Sequence, residues 1–516
     1  MTHAPTQNDV FDFLKQLPSD DPTRPGVDQI NTHANVIFLN GTKAFKVKRA
    51  IKYPFLDYST LALRKEACNA EITYNKPNAP QVYRRALPIT MESDGQLALD
   101  GHGEAVEWAV EMNRFEHRDE LDALARKGPF EDSLSEQLAE MMVAAHEEAP
   151  LRGGQGFYDE LATYVEQNDA AFREHPQLFP ADDIRHLTEM SRSVLASLHD
   201  LLVKRGEEGL VRRCHGDAHL GNIVMISDHP VLFDAVEFSD AIATGDVLYD
   251  LAFLLMDLWE RGQKRSANRV FNRYLDLSRL GSHADALAAL PFFLMMRAAI
   301  RSKIAASAAL AQSDETTKQS MQKQAQTYFG FAMAFLEPSR PRLLAIGGLS
   351  GTGKTTLAYS LAPDVGRAPG ARVLRTDVMR KRLLNIAETE KAPPEAYTLE
   401  ASTSVYQEID NTIQCVLAAG HSAVFDAVFA AEGERTKIAE IAKRVEADFS
   451  GLWLTAPATT LKERVAARAG DASDATGEVV GQQLGYDLGE MTWSEIDAGG
   501  CREDTLHSAQ TVLRSS

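Results

Sequence analysis

A glycine-rich stretch at residues 348–355 limits the folds open to this chain more than any other feature of its sequence. It reads GLSGTGKT and fits the phosphate-loop pattern G-x-x-x-x-G-K-[ST] without a mismatch. The apolar run Leu343–Gly347 before it is typical of a buried parallel strand, and a helix-like segment, Thr356–Leu361, follows. A chance glycine-rich turn is the alternative, but it requires neither the strand nor the helix. We therefore predict a strand–loop–helix unit that binds phosphate.

The residue types of this loop indicate how it would hold a nucleotide. Its glycines let backbone N–H groups turn inward around phosphate oxygens, while Lys354 would reach the β- and γ-phosphates. Thr355 would place its hydroxyl on Mg²⁺, and the following helix would aim its positive end at the same anion. The residues predicted to contact the nucleotide are Gly348, Ser350, Gly351, Thr352, Gly353, Lys354, Thr355 and Thr356.

Strand-like and helix-like segments alternate from residue 342 onward. The strand candidates are Leu343–Gly347, Arg372–Arg375, Ser422–Phe425 and Gly451–Thr455. This alternation predicts an α/β domain with a parallel sheet covered by helices on both faces. The proline-containing stretch EPSRPR at 337–342 separates it from the helical segment Met321–Leu336. We therefore predict two domains, 1–338 and 339–516.

Two aspartates of the second domain come at the ends of predicted strands. Asp377 lies just past the second strand, where the carboxyl-end loops of such sheets hold ligands, and Asp426 ends the third. Either carboxylate could orient Mg²⁺ or accept a proton from a substrate hydroxyl. We assign Asp377 as the catalytic carboxylate and Asp426, with Thr355, as metal ligands. A helix-capping role is the alternative for Asp377.

Two arginines could close over the transferring phosphoryl group as a lid. Arg464 and Arg468 lie four residues apart on a helix-like stretch that ends at the polar segment 470–474. Solvated arginines on a helix surface are the alternative.

A second phosphoryl-transfer pattern lies in the first domain. Residues 215–222 read HGDAHLGN, so that Asn222 follows Asp217 by five positions, which is the spacing of the kinase catalytic loop. There the aspartate is the base and the asparagine holds Mg²⁺. Asp234 comes twelve residues after Asn222, at the end of a predicted hairpin, and can bring a third oxygen ligand to the same metal. We expect His215 to brace the loop by hydrogen bonding.

The rest of the first domain reads as a strand-rich start followed by helices. A hairpin is predicted from Asn35–Leu39 and Lys43–Lys48, and a helix from Leu61–Asn75. Long helical segments follow near 134–204 and at 247–336, with the second hairpin, Ile223–Ile226 and Val231–Phe233, between them. This order predicts an α+β domain with two lobes.

Composition excludes several classes of partner. The 516 residues carry 54 Lys plus Arg against 73 Asp plus Glu, a net charge of −19, which disfavours nucleic acid and anionic membranes. The four cysteines are far apart, so neither a disulfide framework nor a structural zinc site is expected. The N-terminus lacks the apolar core of a signal peptide, and the apolar stretches are too short to span a bilayer. We expect a cytoplasmic protein; its oligomeric state is left open.

The second domain resembles the small P-loop kinases, such as gluconate kinase, chloramphenicol phosphotransferase and the zeta-toxin kinases. The resemblance covers roughly residues 342–516 and rests most strongly on the phosphate loop. It implies that an aspartate after the second strand, with an arginine three residues on, handles the substrate hydroxyl, and that a lid supplies further arginines. Asp377, Arg380 and Arg464 match these positions.

The first domain resembles the aminoglycoside phosphotransferase and choline kinase superfamily, on its HGDxHxGN-like loop and on the phrase FDAVEF at 233–238. Bacterial two-part proteins that join such a domain to a C-terminal P-loop kinase are most similar. The resemblance implies a nucleotide-binding lysine, Lys46, paired with a helix glutamate, Glu71. Lys48, on the same strand face, and Glu66 are the alternatives.

Within the same resemblance, Asp246 and Asp250 are implied to tie the loop to the helical lobe. A G-x-G-x-x-G loop is missing, as is common in this superfamily, and no D-F-G or A-P-E phrase occurs. Protein kinase activity is therefore disfavoured.

The two patterns together predict a bifunctional small-molecule kinase. Each domain would bind ATP and Mg²⁺ and phosphorylate a hydroxyl of a small-molecule acceptor. In one alternative, one domain is a nucleotide-sensing module that gates the other. Antibiotic inactivation is a further alternative, and so is a zeta-like toxin activity of the second domain on nucleotide sugars. The identity of either acceptor is left open because a fold does not determine its substrate.

Overall fold

The chain divides by packing into two compact units. The computed structural model describes residues 5–53, 56–281, 283–467 and 472–515. Unit 1 comprises Met1–Phe130, Met141–Glu160 and Leu202–Asp257, and unit 2 comprises Glu131–Glu140, Leu161–Leu201 and Leu258–Ser516. The domain boundary between residues 338 and 339 stays a prediction, since compact units and family domains need not coincide.

The strands are numbered along the chain. They are β1 (Val27–Asn31), β2 (Asn35–Asn40), β3 (Lys43–Lys48), β4 (Lys52–Tyr53), β5 (Leu56–Asp57), β6 (Tyr83–Met91), β7 (Leu97–Leu99), β8 (Glu104–Asn113), β9 (Val211–Arg213), β10 (Ile223–Ile226), β11 (His229–Leu232), β12 (Thr244–Asp246), β13 (Arg342–Gly348), β14 (Arg372–Arg375), β15 (Ala423–Asp426), β16 (Asp448–Thr455) and β17 (Ser494–Asp497).

The α-helices are numbered in the same way. They are α1 (Gln7–Lys15), α2 (Leu61–Asn75), α3 (Leu121–Ala125), α4 (Asp132–Glu148), α5 (Gly154–Arg173), α6 (Ala181–Ser197), α7 (His199–Glu207), α8 (Asp240–Ala243), α9 (Val247–Glu260), α10 (Lys264–Leu277), α11 (Leu290–Leu310), α12 (Glu315–Leu336), α13 (Lys354–Leu361), α14 (Thr376–Leu383), α15 (Leu399–Ala418), α16 (Glu432–Arg444), α17 (Ala458–Ala466), α18 (Gly477–Gln483) and α19 (Arg502–Ser515). Short 3₁₀ turns lie at His117–Asp119, Leu220–Asn222, Asp285–Ala288, Ala362–Asp364 and Pro394–Tyr397.

Unit 1 is built on a six-stranded antiparallel sheet with the order β1-β2-β3-β8-β6-β7. Successive side chains of β2 and β3 point to opposite faces of the sheet. Phe38 and Phe45 are cross-strand partners on the face that packs against α1. Lys46 and Lys48 point from the opposite face of the sheet. The turn between the strands requires the left-handed backbone of Gly41, whose φ is 56°.

The hairpin of β2 and β3 and the helix Leu61–Asn75 are confirmed. Strands β6 and β8, in contrast, have no counterpart among the strands predicted from the sequence. Buried charges interrupt the apolar alternation of β8, because Glu107 and Glu111 are buried there and bond Arg64 and Arg85. The second hairpin differs at its turn, because β11 begins at His229 rather than at residue 231.

Unit 2 contains a five-stranded parallel sheet with the order β14-β15-β13-β16-β17. Strand β13 lies at its centre, where Leu344 and Ile346 are buried in the core. The four strands predicted from the alternation are present, and the edge strand β17 is an addition. The fold class, a two-lobed kinase-like α+β domain followed by an α/β P-loop domain with a parallel sheet, is confirmed.

Unit 2 also holds the long helices α11 and α12, which pack against each other. Ser302 Oγ donates a hydrogen bond to the carbonyl of Ala325 across this contact, at 2.7 Å. Among the helices of the described residues, none combines the length and the apolar character that crossing a membrane requires.

An ion pair buried in unit 1 makes a testable contribution to stability. Arg205 and Asp246 are both fully buried and bond through two atom pairs, Nε to Oδ2 at 2.5 Å and Nη2 to Oδ1 at 2.8 Å. The substitution Arg205→Met would leave the carboxylate buried without its cation, and we expect unfolding free energy to fall by about 3–5 kcal/mol. Urea denaturation measures this change. The exposed pair of Arg192 and Glu166 is the control, and Arg192→Met should leave the midpoint unchanged; equal midpoints for both variants would contradict the prediction.

Candidate active sites

The loop after β9 brings the predicted base and asparagine of unit 1 together. Asn222 Nδ2 donates to the backbone oxygen of Asp217 at 2.9 Å and to its Oδ2 at 3.0 Å. The side chain of Asp217 is 41% exposed, so a substrate hydroxyl could reach it. Because the amide nitrogen of Asn222 faces Asp217, its oxygen Oδ1 is the atom that a cation would use.

The hairpin of β10 and β11 presents Asp234 to the same loop. The N–H of Phe233 donates to the backbone oxygen of Asn222 at 2.9 Å and thereby joins hairpin and loop. Asp234 has a φ of 63°, a left-handed backbone that side-chain-bearing residues seldom adopt. Its N–H donates to Tyr83 Oη at 3.1 Å, and the N–H of the next residue donates to Asn75 Oδ1 at 2.7 Å. These bonds hold the strained turn in place.

Buried side chains brace the catalytic loop from below. His215 contacts the carbonyl of Phe233 through Nε2 at 2.9 Å, as the bracing role predicts. Burial lowers the pKa of His215, so its ring is neutral and Nε2–H is the donor in this bond. Asp250 accepts the N–H of Gly216 at 2.8 Å, and its other oxygen lies 3.2 Å from His146 Nε2. The loop therefore has little freedom to move.

A buried network of cations and carboxylates adjoins Asp234. Lys46 Nζ lies 2.9 Å from Glu71 Oε1 and 2.6 Å from Asp234 Oδ1. Lys48 Nζ lies 2.5 Å from the other oxygen of Glu71 and also contacts Glu237. Burial alone would lower the pKa of Lys46, but Asp234 and Glu71 outweigh it and raise that pKa well above its ordinary value. The pKa of Lys48 is raised against the same burial by Glu237 and Glu71.

The candidate lysines and glutamates differ in their contacts, and the roles of Lys46 and Glu71 stay a prediction. Glu66 is exposed on α2, whereas Glu71 is buried between both lysines. Lys46 is the lysine that contacts Asp234, and Lys48 instead pairs with Glu237. Sequence reasoning gave Glu237 no role. Two signals were available: Glu237 lies in the phrase at 233–238, and Lys46 and Lys48 lie two residues apart, on one face of β3.

The phosphate loop of unit 2 has the backbone that its glycines allow. Gly348, Gly351 and Gly353 have φ angles of 141°, 91° and 90°. A Cβ atom on Gly351 would lie 2.6 Å from the backbone oxygen of Leu461, so the site tolerates no side chain there. Helix α13 begins at Lys354, within the loop motif, so that its amino end lies at the loop.

Thr355 and Asp426 meet at the mouth of the loop. Thr355 Oγ1 donates to Asp426 Oδ2 at 2.5 Å, and Arg375 Nε lies 3.7 Å from the same oxygen. Lys354 Nζ donates to the loop carbonyl of Leu349 at 3.1 Å. A hydroxyl and a carboxylate side by side form an oxygen donor set of the kind that Mg²⁺ prefers.

A cavity of about 840 Å³ lies beside the loop, and Asp377, the predicted catalytic carboxylate, lines it. Its walls include Lys354, Thr355, Asp377 and Asp426. Asp377 is the second residue of α14, and the helix cap is Arg375, so the capping alternative for Asp377 is wrong. Burial raises the pKa of Asp377, although Arg375 and Ser473 oppose that rise.

The predicted arginines occupy different places. Arg380 lines the large cavity, donates to the carbonyl of Ala396 and lies 4.7 Å over the ring of Tyr397. Arg464 donates to the carbonyls of Ala498 and Gly500 at 2.7 and 3.0 Å, and lines a second cavity of about 460 Å³ on the other side of the loop. Arg468 lies outside the described residues. The lid role of both lid arginines stays a prediction.

One residue at the phosphate loop has no signal in the sequence. Gln483, the last residue of α18, accepts the N–H of Ser350 through Oε1 at 2.7 Å, and both residues are buried. The backbone N–H of Ser350 in the phosphate loop is therefore already bonded to the side-chain oxygen of Gln483. A glutamine 133 positions along the chain could not be linked to the loop by any spacing rule.

Two family models match separate parts of the chain. Residues 80–290 match the model of the phosphotransferase enzyme family, and residues 343–486 match a model described as AAA domain. The chain thus joins a phosphotransferase-family domain to a C-terminal P-loop kinase domain, as the sequence analysis predicted, and is an enzyme of the phosphotransferase class.

Relatives and solved structures match the chain over all or part of its length. Proteins of Mycobacterium tuberculosis and Mycobacterium bovis, both described as uncharacterized, are 28% identical over 501 residues, which is 95% of this chain and 96% of theirs. A choline/ethanolamine kinase family protein from Mesorhizobium loti is 13% identical and covers 64% of this chain and 98% of its own, with a TM-score of 0.38. A gluconokinase from Sinorhizobium meliloti is 20% identical and covers 34% of this chain and 93% of its own, with a TM-score of 0.26.

The crowding at Gly351 gives a direct test of the phosphate loop. In Gly351→Ala the new Cβ collides with Leu461 and the φ of 91° is strained, so we expect nucleotide affinity at this loop to fall at least about tenfold. Titration of the full chain with a fluorescent ATP analogue measures this loss. Gly433→Ala is the control, since nothing lies within 4 Å of its Cβ. Unchanged binding in Gly351→Ala would contradict the assignment.

Proposed function

We propose that this chain is a bifunctional ATP-dependent small-molecule kinase, in which each half transfers the γ-phosphoryl group of ATP to a hydroxyl. The observation that carries the proposal is that each half combines a reachable carboxylate with its own lysine and its own pair of oxygen donors. Phosphoryl transfer requires positioning and charge stabilisation more than covalent chemistry, and these groups supply both.

In unit 1, Asp217 acts as the base that accepts the proton of the acceptor hydroxyl. Its contact with Asn222 orients the carboxylate, and the braced loop keeps it in place. Lys46 binds the α- and β-phosphates of ATP, and Glu71 holds its ammonium group in position. Asp217 is therefore positioned to orient the acceptor hydroxyl for attack before ATP binds.

In unit 2, the backbone of residues 348–355 and Lys354 hold the phosphates. Asp377 faces the acceptor cavity and accepts the hydroxyl proton, and Arg380 lines the same cavity. The cavity of about 840 Å³ has room for a sugar-sized or somewhat larger acceptor beside the γ-phosphate of ATP. The Arg464 guanidinium lies at the second cavity, on the nucleotide side of the loop.

The donor atoms of both sites fit a magnesium ion. Asn222 and Asp234 in unit 1, and Thr355 and Asp426 in unit 2, offer only oxygen, which a hard divalent cation prefers over nitrogen or sulfur. When bound, such an ion neutralises the charge of the β- and γ-phosphates. The same donor sets would also accept Mn²⁺.

Two variants of the full chain separate the two activities. ATP consumption is measured with a panel of sugars, polyols, amino alcohols and antibiotics, for Asp217→Ala and Lys354→Ala. We expect each variant to lose a different activity by roughly 10²- to 10⁴-fold, because each removes a base or a phosphate-binding cation from one site only. Asp182→Ala and Lys318→Ala, both at exposed positions, are the controls.

The pattern of loss decides between two catalytic sites and a gated enzyme. If both variants lose one and the same activity, one half is a nucleotide-sensing module and the proposal of two kinases is wrong. If neither variant loses any activity, the assigned residues do not carry the chemistry.

The raised pKa of Asp377 predicts the pH dependence of the second site. A base must be deprotonated, and burial raises the pKa of this carboxyl, so activity should rise with pH through a value above that of an ordinary aspartate. The pH profile of kcat/KM in an Asp217→Ala background, where only the second site turns over, measures this limb. Asp377→Asn should abolish it together with the activity. An acid limb at or below the ordinary aspartate range would show that another group is the base.

A further inference from the structure

Strand β14, which leads to Asp377, forms an edge of the parallel sheet in unit 2. Among the described residues its single strand neighbour is β15, so one side of β14 presents backbone groups that none of the described strands pairs. Two residues after this strand comes the carboxylate assigned as the base, Asp377. The position of that carboxylate therefore depends on what holds the open edge.

Side chains of helix α10 make the bonds that a neighbouring strand would make. Asn272 Oδ1 accepts the N–H of Val373 at 2.7 Å, while Asn272 Nδ2 donates to the carbonyl of Ala371 at 3.1 Å. A primary amide carries an acceptor and a donor side by side, so one asparagine reproduces both bonds of a strand pairing step. Asn268 Nδ2 adds bonds to the carbonyls of Pro369 and Ala371, both at 3.0 Å.

A charged contact secures the same junction. The guanidinium of Arg372, the first residue of β14, bonds Asp276 and the backbone and side-chain oxygens of Asn272. Arg372, Asn268 and Asn272 are all buried, so these groups would lack water as a substitute partner if the helix moved away.

Further contacts run along the same helix. Phe271 packs against the ring of His421, with the ring centres 5.3 Å apart, and Arg273 Nη1 lies 2.7 Å from Glu388. His421 in turn contacts the carbonyl of Gly370 at 2.9 Å. Burial lowers the pKa of His421 to about 4, so the ring is neutral and donates through Nε2.

We propose that helix α10, which the sequence analysis placed in the first domain, is a positioning element of the second kinase site. Through Asn268, Asn272 and Asp276 it completes the open edge of β14 and thereby fixes the strand that leads to Asp377. The inference rests on the proposed function of that site. It also makes the helix before residue 339 part of the C-terminal catalytic unit.

The test substitutes Asn272 in the full chain and follows both structure and turnover. In Asn272→Ala we expect hydrogen exchange of the amides at 371–377 to rise at least about tenfold, because Val373 N–H loses its acceptor and Ala371 C=O loses one of its two side-chain donors. In an Asp217→Ala background, kcat for ATP turnover with water or a panel acceptor should fall at least about fivefold, while KM for ATP stays within about twofold, since the phosphate loop is not touched. Asn272→Asp keeps the acceptor oxygen and should recover part of the kcat.

Asn168→Ala is the matched control. Asn168 is a buried asparagine of unit 2 that bonds Met296 and not the sheet, so its removal destabilises the helices without opening β14. Exchange at 371–377 that is unchanged in Asn272→Ala would overturn the inference, and so would a kcat loss no larger than in Asn168→Ala. A chain with no turnover at the second site would refute the proposed function instead, and the exchange measurement would still decide whether α10 completes the edge.

Discussion

Buried charge must be paired, and this requirement shapes the first kinase site before any substrate binds. Two lysines and two glutamates share one buried region, where each unpaired charge would cost several kcal/mol, and the half-exposed Asp234 pairs with Lys46 at its edge. Glu71 of helix α2 can neutralise both Lys46 and Lys48 only if α2 and strand β3 keep their present relative position. The network therefore ties the sheet, the helix and the hairpin of Asp234 together, and Lys46 is held between Glu71 and Asp234.

The two proposed sites would hold phosphate by different means. In unit 1 the donors are side chains on a loop and a hairpin, and the backbone strain at Asp234 is offset by bonds from Tyr83 and Asn75. In unit 2 the loop backbone would do the binding, which accounts for its three glycines with positive φ, and the end of helix α13 would add its dipole. A side-chain site can change its residues one at a time, whereas a backbone site tolerates almost no change. This difference explains why the second site has the stricter sequence pattern.

That contrast also explains what the sequence could reveal. The phosphate loop, the spacing from Asp217 to Asn222 and the alternation of strands and helices are local patterns, and each led to the correct element. Strand β8 escaped notice because Glu107 and Glu111 occupy buried positions, and their partners lie on other elements. Glu237, Gln483 and Asn272 were missed for a related reason. Their roles arise from contacts across 100 or more positions, and no spacing rule connects residues so far apart.

A helix is a suitable partner for the open edge of β14. A further strand would extend the sheet and leave a new edge, with the same unpaired groups that invite association between chains. Asparagine side chains bond Val373 N–H of β14 and the carbonyls of Pro369 and Ala371 just before it, and end the sheet there. Because Asn268, Asn272 and Asp276 lie on successive turns of α10, the helix can hold the strand only in one register. The same three residues thus close the sheet and orient the strand from which the catalytic helix α14 begins.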